Sequence, residues 1–155
     1  MSARLSGPAR RSGLPRVDRR LLRARAARLL RELGEAGAEL SIRLADDAEM
    51  AALNGSYRGR PRPTDVLSFS LLEGRGTRHR GALLGDVVIG VEVAARQARA
   101  ARRSLDDELA RLLVHGALHL LGHDHERPAG ARRMRAAERR LLRALKAEAG
   151  PKPAR

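Results

Sequence analysis

The amino-acid sequence predicts a single α+β domain, in which a small mixed β-sheet is covered by about five helices. Short apolar runs with the period of a strand occur between residues 40 and 90. After residue 90 the apolar residues recur mostly with the period of a helix. The chain has 155 residues and 43% hydrophobic content, which is enough for one core and too little for two ordinary domains.

The N-terminal region divides into an arm and a first helix. Residues 1–16 carry Ser, Gly, Pro and Arg with little periodicity, so we expect a poorly ordered basic arm or at best a weak edge strand. Asp18 is a candidate N-cap, and apolar residues recur at helical spacing from Leu22 to Leu33. We therefore place the folded domain at residues 17–148 and a frayed tail at residues 149–155.

A strand, a short helix and a basic loop follow the first helix. Apolar and polar residues alternate over residues 40–44, which indicates a half-buried strand. Asp46 and Glu49 form a capping-box pattern for a short helix that we expect to end at Leu53. Residues 56–63 are rich in Gly, Pro and Arg, so they predict an exposed loop with a basic rim.

Two further strands and three helices complete the prediction. The strands are expected at residues 66–70 and 83–89, and a loop rich in Gly and Arg, at residues 73–80, joins them. One helix is expected at residues 92–101, a second begins after the N-cap Ser104, and a third begins at Pro128.

Four of the five histidines lie in the stretch that reads HGALHLLGHDH from residue 115 to residue 125. His115 and His119 have i, i+4 spacing, so on a helix their rings stand on one face, close enough to share one ion. Gly122 suits the turn that ends a helix, and that turn would bring His125 toward the first two rings. Three neutral imidazoles and one water make the open tetrahedral site of catalytic zinc. The pattern therefore predicts one Zn²⁺ per chain at the end of the central helix.

The same histidine spacing leaves a second hydrolase class open. Metzincin proteases share it, and their second position is a Glu that acts as the general base. Here that position is Gly116, so a metal-dependent protease or amidase would lack the group that takes a proton from the metal-bound water.

The histidine stretch resembles a known family, the YbeY endoribonucleases of bacterial ribosomal RNA maturation. It matches the family's hallmark H-G-x-L-H-L-x-G-x-D-H at every fixed position. The other matching blocks are Leu53-Asn54, Tyr57-Arg58, Thr64-Asp65-Val66-Leu67-Ser68-Phe69 and Leu84-Gly85-Asp86-Val87-Val88-Ile89. The resemblance implies a single-strand-specific, metal-dependent endoribonuclease that acts in maturation of the 3′ end of small-subunit ribosomal RNA and in ribosome quality control.

Site residues beyond the ligands also follow from the resemblance. Arg58 lies in the block that matches the family's basic active-site loop, and an Arg fork suits the negative charge of a pentacoordinate transition state. We therefore take Arg58 as the candidate catalytic residue. Asp86 and Asp124 could orient the histidines through hydrogen bonds, although Asp124 could equally cap the turn before His125. Neither aspartate is counted as catalytic.

The net charge of +14 and the isoelectric point near 11.7 favour a polyanionic partner. Tyr57 and Phe69 are the only aromatic residues, so recognition of the RNA backbone through Arg is more natural than stacking of several bases. RNA and, from the resemblance, the small ribosomal subunit with its assembly factors are the expected partners. A third class stays open, a basic ribosome-assembly factor whose zinc is structural.

Cysteine usage and hydropathy bear on the compartment. There is no cysteine, which fits a reducing cytoplasm and restricts metal ligands to nitrogen and oxygen. No apolar run approaches the roughly 20 residues of a membrane span. We expect a cytoplasmic protein without a membrane partner, and a monomer is the working expectation where the sequence leaves the oligomeric state open.

Overall fold

The computed structural model describes residues 3–7, 13–70, 83–123 and 126–147, and it confirms the α+β class. In these ranges the elements are β1 (Ala3–Ser6), α1 (Arg19–Glu32), β2 (Glu39–Ala45), α2 (Asp47–Arg58), β3 (Val66–Ser70), β4 (Leu83–Gly90), α3 (Val91–Ala101), α4 (Leu105–Leu120) and α5 (Pro128–Lys146). Among the described helices, none combines the length and apolarity that a bilayer crossing requires.

The four strands form one mixed sheet in the order β1-β2-β4-β3. β2 is parallel to both of its neighbours, β1 and β4, whereas β3 pairs with β4 antiparallel. This arrangement confirms the small mixed sheet and places β2 and β4 at its centre, where both faces are covered.

The two faces of the sheet bury cores of different size. On the larger face, residues of β2 and β4 such as Ile42 and Val87 share one core with α1, α4 and α5. α4 contacts β4 directly, and α5 packs on α1 and α4. On the other face Met50 of α2 packs with Leu67 and Val88. Leu113, on the inner side of α4, is fully buried, and burial of such a side chain contributes about 1.5–3 kcal/mol. The helix that carries the histidine pair is therefore held by the larger core.

β1 corrects the expected N-terminal arm. The prediction of a poorly ordered arm over residues 1–16 is wrong for Ala3–Ser6, which pair in parallel with Leu40–Arg43 of β2. Ala3 is buried and Leu5 packs against the core, while Arg4 and Ser6 are exposed. Four residues give too little periodicity to reveal a strand, because its stability comes from a partner more than thirty positions away. The weak edge strand is thus the correct alternative.

Deletion of residues 1–10 is expected to lower the melting temperature by roughly 3–6 °C, the range for about 1–2 kcal/mol in a domain of this size. The deletion removes the buried Ala3 and exposes the unpaired edge of β2. Differential scanning calorimetry measures the change, and removal of the predicted tail at residues 149–155 is the control. An unchanged melting temperature would show that β1 contributes no stability.

α2 extends further than the capping box suggested. Asp46 caps it as predicted, but the helix runs to Arg58 rather than Leu53, and Gly59 ends it with a φ of 67°. Asn54 is buried and its amide donates to the Arg62 carbonyl at 3.0 Å. The segment after the helix therefore folds back on its last turn, and the predicted loop at residues 56–63 is helical up to Arg58.

α4 begins and ends as predicted. The Ser104 hydroxyl accepts a hydrogen bond from the Asp107 amide at 3.1 Å, which satisfies an N–H group that the helix leaves unpaired. At the other end, Gly122 has a φ of 91°, a conformation that side chains disfavour. The His123 amide donates to the Leu118 carbonyl at 3.0 Å. These bonds stop the helix directly after the histidine pair.

Glu108 is a fully buried carboxylate in the first turns of α4. Its oxygens accept hydrogen bonds from Arg103 and Arg111, each with a shortest distance of 2.7 Å. Burial raises the pKa of this carboxyl, but the hydrogen bonds from Arg111 and Arg103 lower it more, so the pKa lies below its ordinary value of 4.5. The ion pairs thus hold Glu108 charged in the interior.

Glu108→Gln is expected to reduce the free energy of unfolding at neutral pH by about 2 kcal/mol, because two guanidinium groups lose a buried charged acceptor. A lowered pKa contributes stability that is complete above the unfolded value and is lost as pH falls below about 4.5. The difference between wild type and variant should therefore shrink in acid, which urea titrations at pH 7 and pH 4 measure. Glu32→Gln removes a half-exposed i, i+4 pair with Arg28 and should cost less than about 0.5 kcal/mol. Equal losses in the two variants would contradict the role of Glu108.

Candidate functional site

The two histidines of α4 converge as their spacing predicts. The Nε2 atoms of His115 and His119 lie 3.2 Å apart, and the ring centroids are 4.7 Å apart with an interplanar angle of 70°. Both residues are half-buried, and Leu112, one turn earlier on the same side of the helix, is buried. The pair therefore lies at the border of the core, where its rings are supported and one side stays accessible.

Glu138 of α5 supports the pair and was not predicted from the sequence. Its Oε2 lies 3.0 Å from Nδ1 of His115, and the carboxylate side chain is only 17% exposed. A carboxylate accepts hydrogen bonds and donates none, so this contact favours the tautomer of His115 that carries hydrogen on Nδ1. The lone pair of Nε2 is then directed toward His119.

This donor set fits a zinc ion at two of its positions. Zinc takes imidazole nitrogens at about 2.0–2.1 Å in tetrahedral geometry, which separates two ligand nitrogens by about 3.3 Å. The observed 3.2 Å matches that separation. A carboxylate on the other ring nitrogen is the usual support of a metal-binding histidine. His115 and His119 are therefore suited to hold the metal together.

The third predicted ligand is not tested. His125 lies outside the described residues, as does Asp124, and within the described ranges no group of three potential ligands is assembled. His123 is described. Its side chain lines a cavity with Gly122 and Arg127 at the start of α5, and no described hydrogen bond joins it to the histidine pair. The loop histidine His79 also lies outside the described residues.

Gly116 allows α4 to approach the sheet. A Cβ atom at this position would lie 2.8 Å from Cγ1 of Val87 and 3.0 Å from Oγ of Ser68, so a side chain would collide with both strands. The Ser68 hydroxyl also donates to the Gly116 carbonyl at 3.0 Å. The position that bears a Glu in metzincins therefore faces the sheet, and it has no room for a general base.

Neither Arg58 nor Asp86 has a described contact with the histidine pair. Arg58 is the exposed last residue of α2, and Tyr57 beside it contacts Phe69 of β3, with ring centroids 4.8 Å apart. No described contact joins Arg58 to the histidines, so its catalytic role stays a prediction. Asp86 precedes Val87, which faces α4, and strand alternation directs Asp86 to the opposite face of the sheet. Glu138, rather than Asp86, orients His115.

A carboxylate-supported imidazole pair on the central helix of a small α+β domain is typical of hydrolases that use a histidine-bound metal. The comparisons specify the family. The chain belongs to the endoribonuclease YbeY family, whose model matches residues 15–146.

Two relatives agree with this assignment, and one solved structure shares the fold. An endoribonuclease YbeY of Anaeromyxobacter sp. (strain Fw109-5) is 53% identical over 93% of this chain and 72% of its own length. That of Anaeromyxobacter dehalogenans (strain 2CP-C) is 54% identical over 81% of this chain, which spans 63% of that relative's length. A solution structure of a Thermotoga maritima protein has a TM-score of 0.65 and 22% identity over 99% of both chains, so it supports the fold.

Proposed function

We propose that this protein is a zinc-dependent endoribonuclease whose hydrolytic centre is built on His115 and His119, with His125 as the third ligand. The observation that carries the proposal is the 3.2 Å separation of the two Nε2 atoms, which are held by a helix and by the Glu138 carboxylate. Membership in an endoribonuclease family supplies the substrate class, RNA, and the bond that is cleaved, the phosphodiester.

We also propose a biological setting, which rests on the resemblance to this family. We place the chain in ribosomal RNA processing, in maturation of the 3′ end of the small-subunit RNA and in ribosome quality control. Its partners there are the RNA precursor and the small ribosomal subunit with its assembly factors, and its compartment is the cytoplasm. The net charge of +14 supports an RNA substrate, because a field of this sign raises the local RNA concentration and the association rate.

Each residue of the site has a defined task. When bound, zinc would lower the pKa of a coordinated water to about 7 and polarise a phosphoryl oxygen. His115 and His119 would hold the ion through their Nε2 atoms. Glu138 accepts a hydrogen bond from Nδ1–H of His115, which leaves the Nε2 lone pair of that ring available. The planar guanidinium group of Arg58 would donate two hydrogen bonds to the phosphoryl oxygens, where negative charge accumulates.

The two other classes are less well supported. A protease or amidase would need a carboxylate in place of Gly116, and Val87 and Ser68 occupy the space that its side chain requires. An assembly factor with a structural zinc would need a fourth protein ligand to close the site. Within the described residues only two imidazoles converge, and they border the surface.

The proposal is tested by metal analysis of the purified protein together with cleavage of a single-stranded RNA oligonucleotide. We expect about one zinc per chain and cleavage that disappears with a chelator and returns with added Zn²⁺. Zinc binding without any RNA cleavage would instead support the assembly factor. Cleavage that is insensitive to the chelator would overturn the metal-dependent mechanism.

Glu138→Gln is expected to weaken zinc binding by roughly 10–100-fold, the usual effect of losing a carboxylate that supports a ligating histidine. The amide keeps the size of the side chain but removes the negative charge that stabilises the Nδ1 proton of His115. Competition with a fluorescent zinc chelator measures the affinity. Glu32→Gln, which changes a half-exposed acid paired with Arg28 on α1, is the control and should leave zinc affinity unchanged. Wild-type affinity in Glu138→Gln would show that the contact does not orient His115.

A further inference from the structure

A second cavity, of about 500 Å³, lies between α1, α4 and α5, and we name it the α1/α4/α5 cleft. Its apolar wall is made by Ala110, Leu142 and Leu145. Asp107 is the acidic residue among the described residues that line it. The cationic residues that line it are Arg25, Arg103, Arg111, Arg139, Arg143 and Lys146. This excess of cations over acids marks the cleft as a site for an anion.

Three of the cations are held in place by the protein. Glu108, buried beneath the cleft, receives hydrogen bonds from Arg103 and Arg111. Nη1 of Arg25 donates to the Asp106 carbonyl at 3.1 Å and lies 3.2 Å from the Asp107 carboxylate. Arg111 uses Nε and Nη2 for Glu108, and its Nη1 has no hydrogen bond among the described residues. These guanidinium groups are pre-organised, which reduces the entropy that binding an anion would cost.

The other three cations form a stripe on α5. Arg139, Arg143 and Lys146 are spaced by four and three positions, so they share one face of the helix. All three are exposed, and none has an ion pair or a hydrogen bond from its side chain within the described part of the chain. Carboxylates of the described residues therefore do not neutralise these charges, which can contact a ligand.

The cleft lies on the same side of α4 as the histidine pair. His115 contacts Glu138 across α4 and α5. Arg111 lies one turn before His115 on α4, and Leu142 lies one turn after Glu138 on α5, and both line the cleft. Each residue adds about 1.5 Å of helix rise. Along the axis of α4, Arg111 therefore lies about 6 Å from His115, and Asp107 lies about 12 Å from it.

We propose that the α1/α4/α5 cleft binds successive backbone phosphates of the same RNA strand that is cleaved at the histidine pair, and that it sets how the strand lies relative to that pair. The inference rests on the proposed function. Six cations suit a phosphodiester, since Arg contacts its oxygens through a planar fork. No aromatic side chain lines the cleft within the described residues, so the contact reads the backbone rather than a base.

The test compares two variants that each remove three positive charges. The cleft variant is Arg139→Gln, Arg143→Gln and Lys146→Gln, and the control variant is Arg20→Gln, Arg23→Gln and Arg99→Gln. All six side chains are exposed and none has a described side-chain partner, so both variants should fold like the wild type. Melting temperatures confirm this point before binding is measured.

Binding of a fluorescein-labelled single-stranded RNA to the full chain is followed by anisotropy at several salt concentrations. Loss of three phosphate contacts should lower the slope of log K against log salt by about 2 in the cleft variant. The control variant should change it by less than about one unit. The cleft variant should also raise the KM for RNA cleavage at least about tenfold, while saturating RNA restores kcat.

Equal slopes and equal KM values in the two variants would overturn the proposal, because net charge alone would then explain the binding. Titration with AMP distinguishes a second source of phosphate. Tight AMP binding that only the cleft variant loses, with RNA binding unchanged, would assign the cleft to a free nucleotide instead. If the wild type binds RNA but never cleaves it, the proposed function fails, whereas the comparison of salt slopes still decides whether the cleft binds RNA.

Discussion

Alanine at His115 or His119 is expected to remove most of the bound zinc and to lower RNA cleavage by roughly three orders of magnitude or more. The two Nε2 atoms are 3.2 Å apart and act as a pair, so loss of one imidazole leaves too few ligands to retain the ion. The activity loss follows because a metal ion stabilises charge in the transition state by several kcal/mol. Metal analysis and single-turnover cleavage measure both effects.

The same experiment on the flanking histidines assigns the third ligand. His125→Ala is expected to lose zinc like the variants of the α4 pair, whereas His123→Ala should retain it. The His123 amide bonds the Leu118 carbonyl in the turn, and its side chain lines a different cavity, toward α5. Full zinc occupancy in His125→Ala, or its loss in His123→Ala, would reassign the ligand. Retention of zinc in both variants of the α4 pair would refute the site itself.

Arg58→Ala is expected to lower turnover by roughly two to four orders of magnitude while RNA affinity changes little. This result requires that Arg58 stabilises charge that develops on the phosphoryl oxygens, rather than charge already present in the substrate. Lysine is the more informative replacement, because it keeps the charge and loses the planar fork. Arg58→Lys should therefore stay impaired at saturating RNA with normal zinc content.

Arg60 and Arg62 provide matched controls for Arg58, since all three are exposed residues at the end of α2 and in the segment after it. Arg60→Ala and Arg62→Ala should affect binding alone, with a salt slope lower by roughly one unit. Wild-type turnover in Arg58→Lys would exclude bidentate contact with the transition state. If saturating RNA restores the rate of Arg58→Ala, Arg58 is one more phosphate contact.

The fold class was predictable because most elements are encoded locally. The Ser104 cap, the apolar stripe of α4 and the conformation of Gly122 each depend on residues within a few positions, and all three agree with the structure. The same local rules predicted the convergence of His115 and His119, because an i, i+4 spacing fixes the relative position of two side chains on a helix.

The errors concern elements whose stability comes from distant contacts. β1 is a strand because it pairs with β2, and its four residues alone do not reveal this. α2 passes through Asn54 and Gly55, which are weak helix formers. It continues because the Asn54 amide binds the Arg62 carbonyl, a contact that the capping box cannot indicate.

The position of Glu138 on α5 could have been recognised in the sequence as unusual. It lies four positions after Met134 and three before Leu141, on the stripe that α5 buries, so a charged residue occupies a core position. We expect such a residue to have a partner, because burial of an unpaired charge costs free energy. The sequence could not say that the partner is His115, because that contact depends on how α5 packs against α4.

The contact between His115 and Glu138 also sets an order of assembly during synthesis. α4 can fold and bring its two rings together before α5 has left the ribosome, because protein synthesis proceeds from the N-terminus. The hydrogen bond that fixes the tautomer of His115 forms only when the last described helix docks. Completion of the site is therefore coupled to the docking of α5, and a truncated translation product that lacks α5 would carry paired imidazoles without the Glu138 carboxylate.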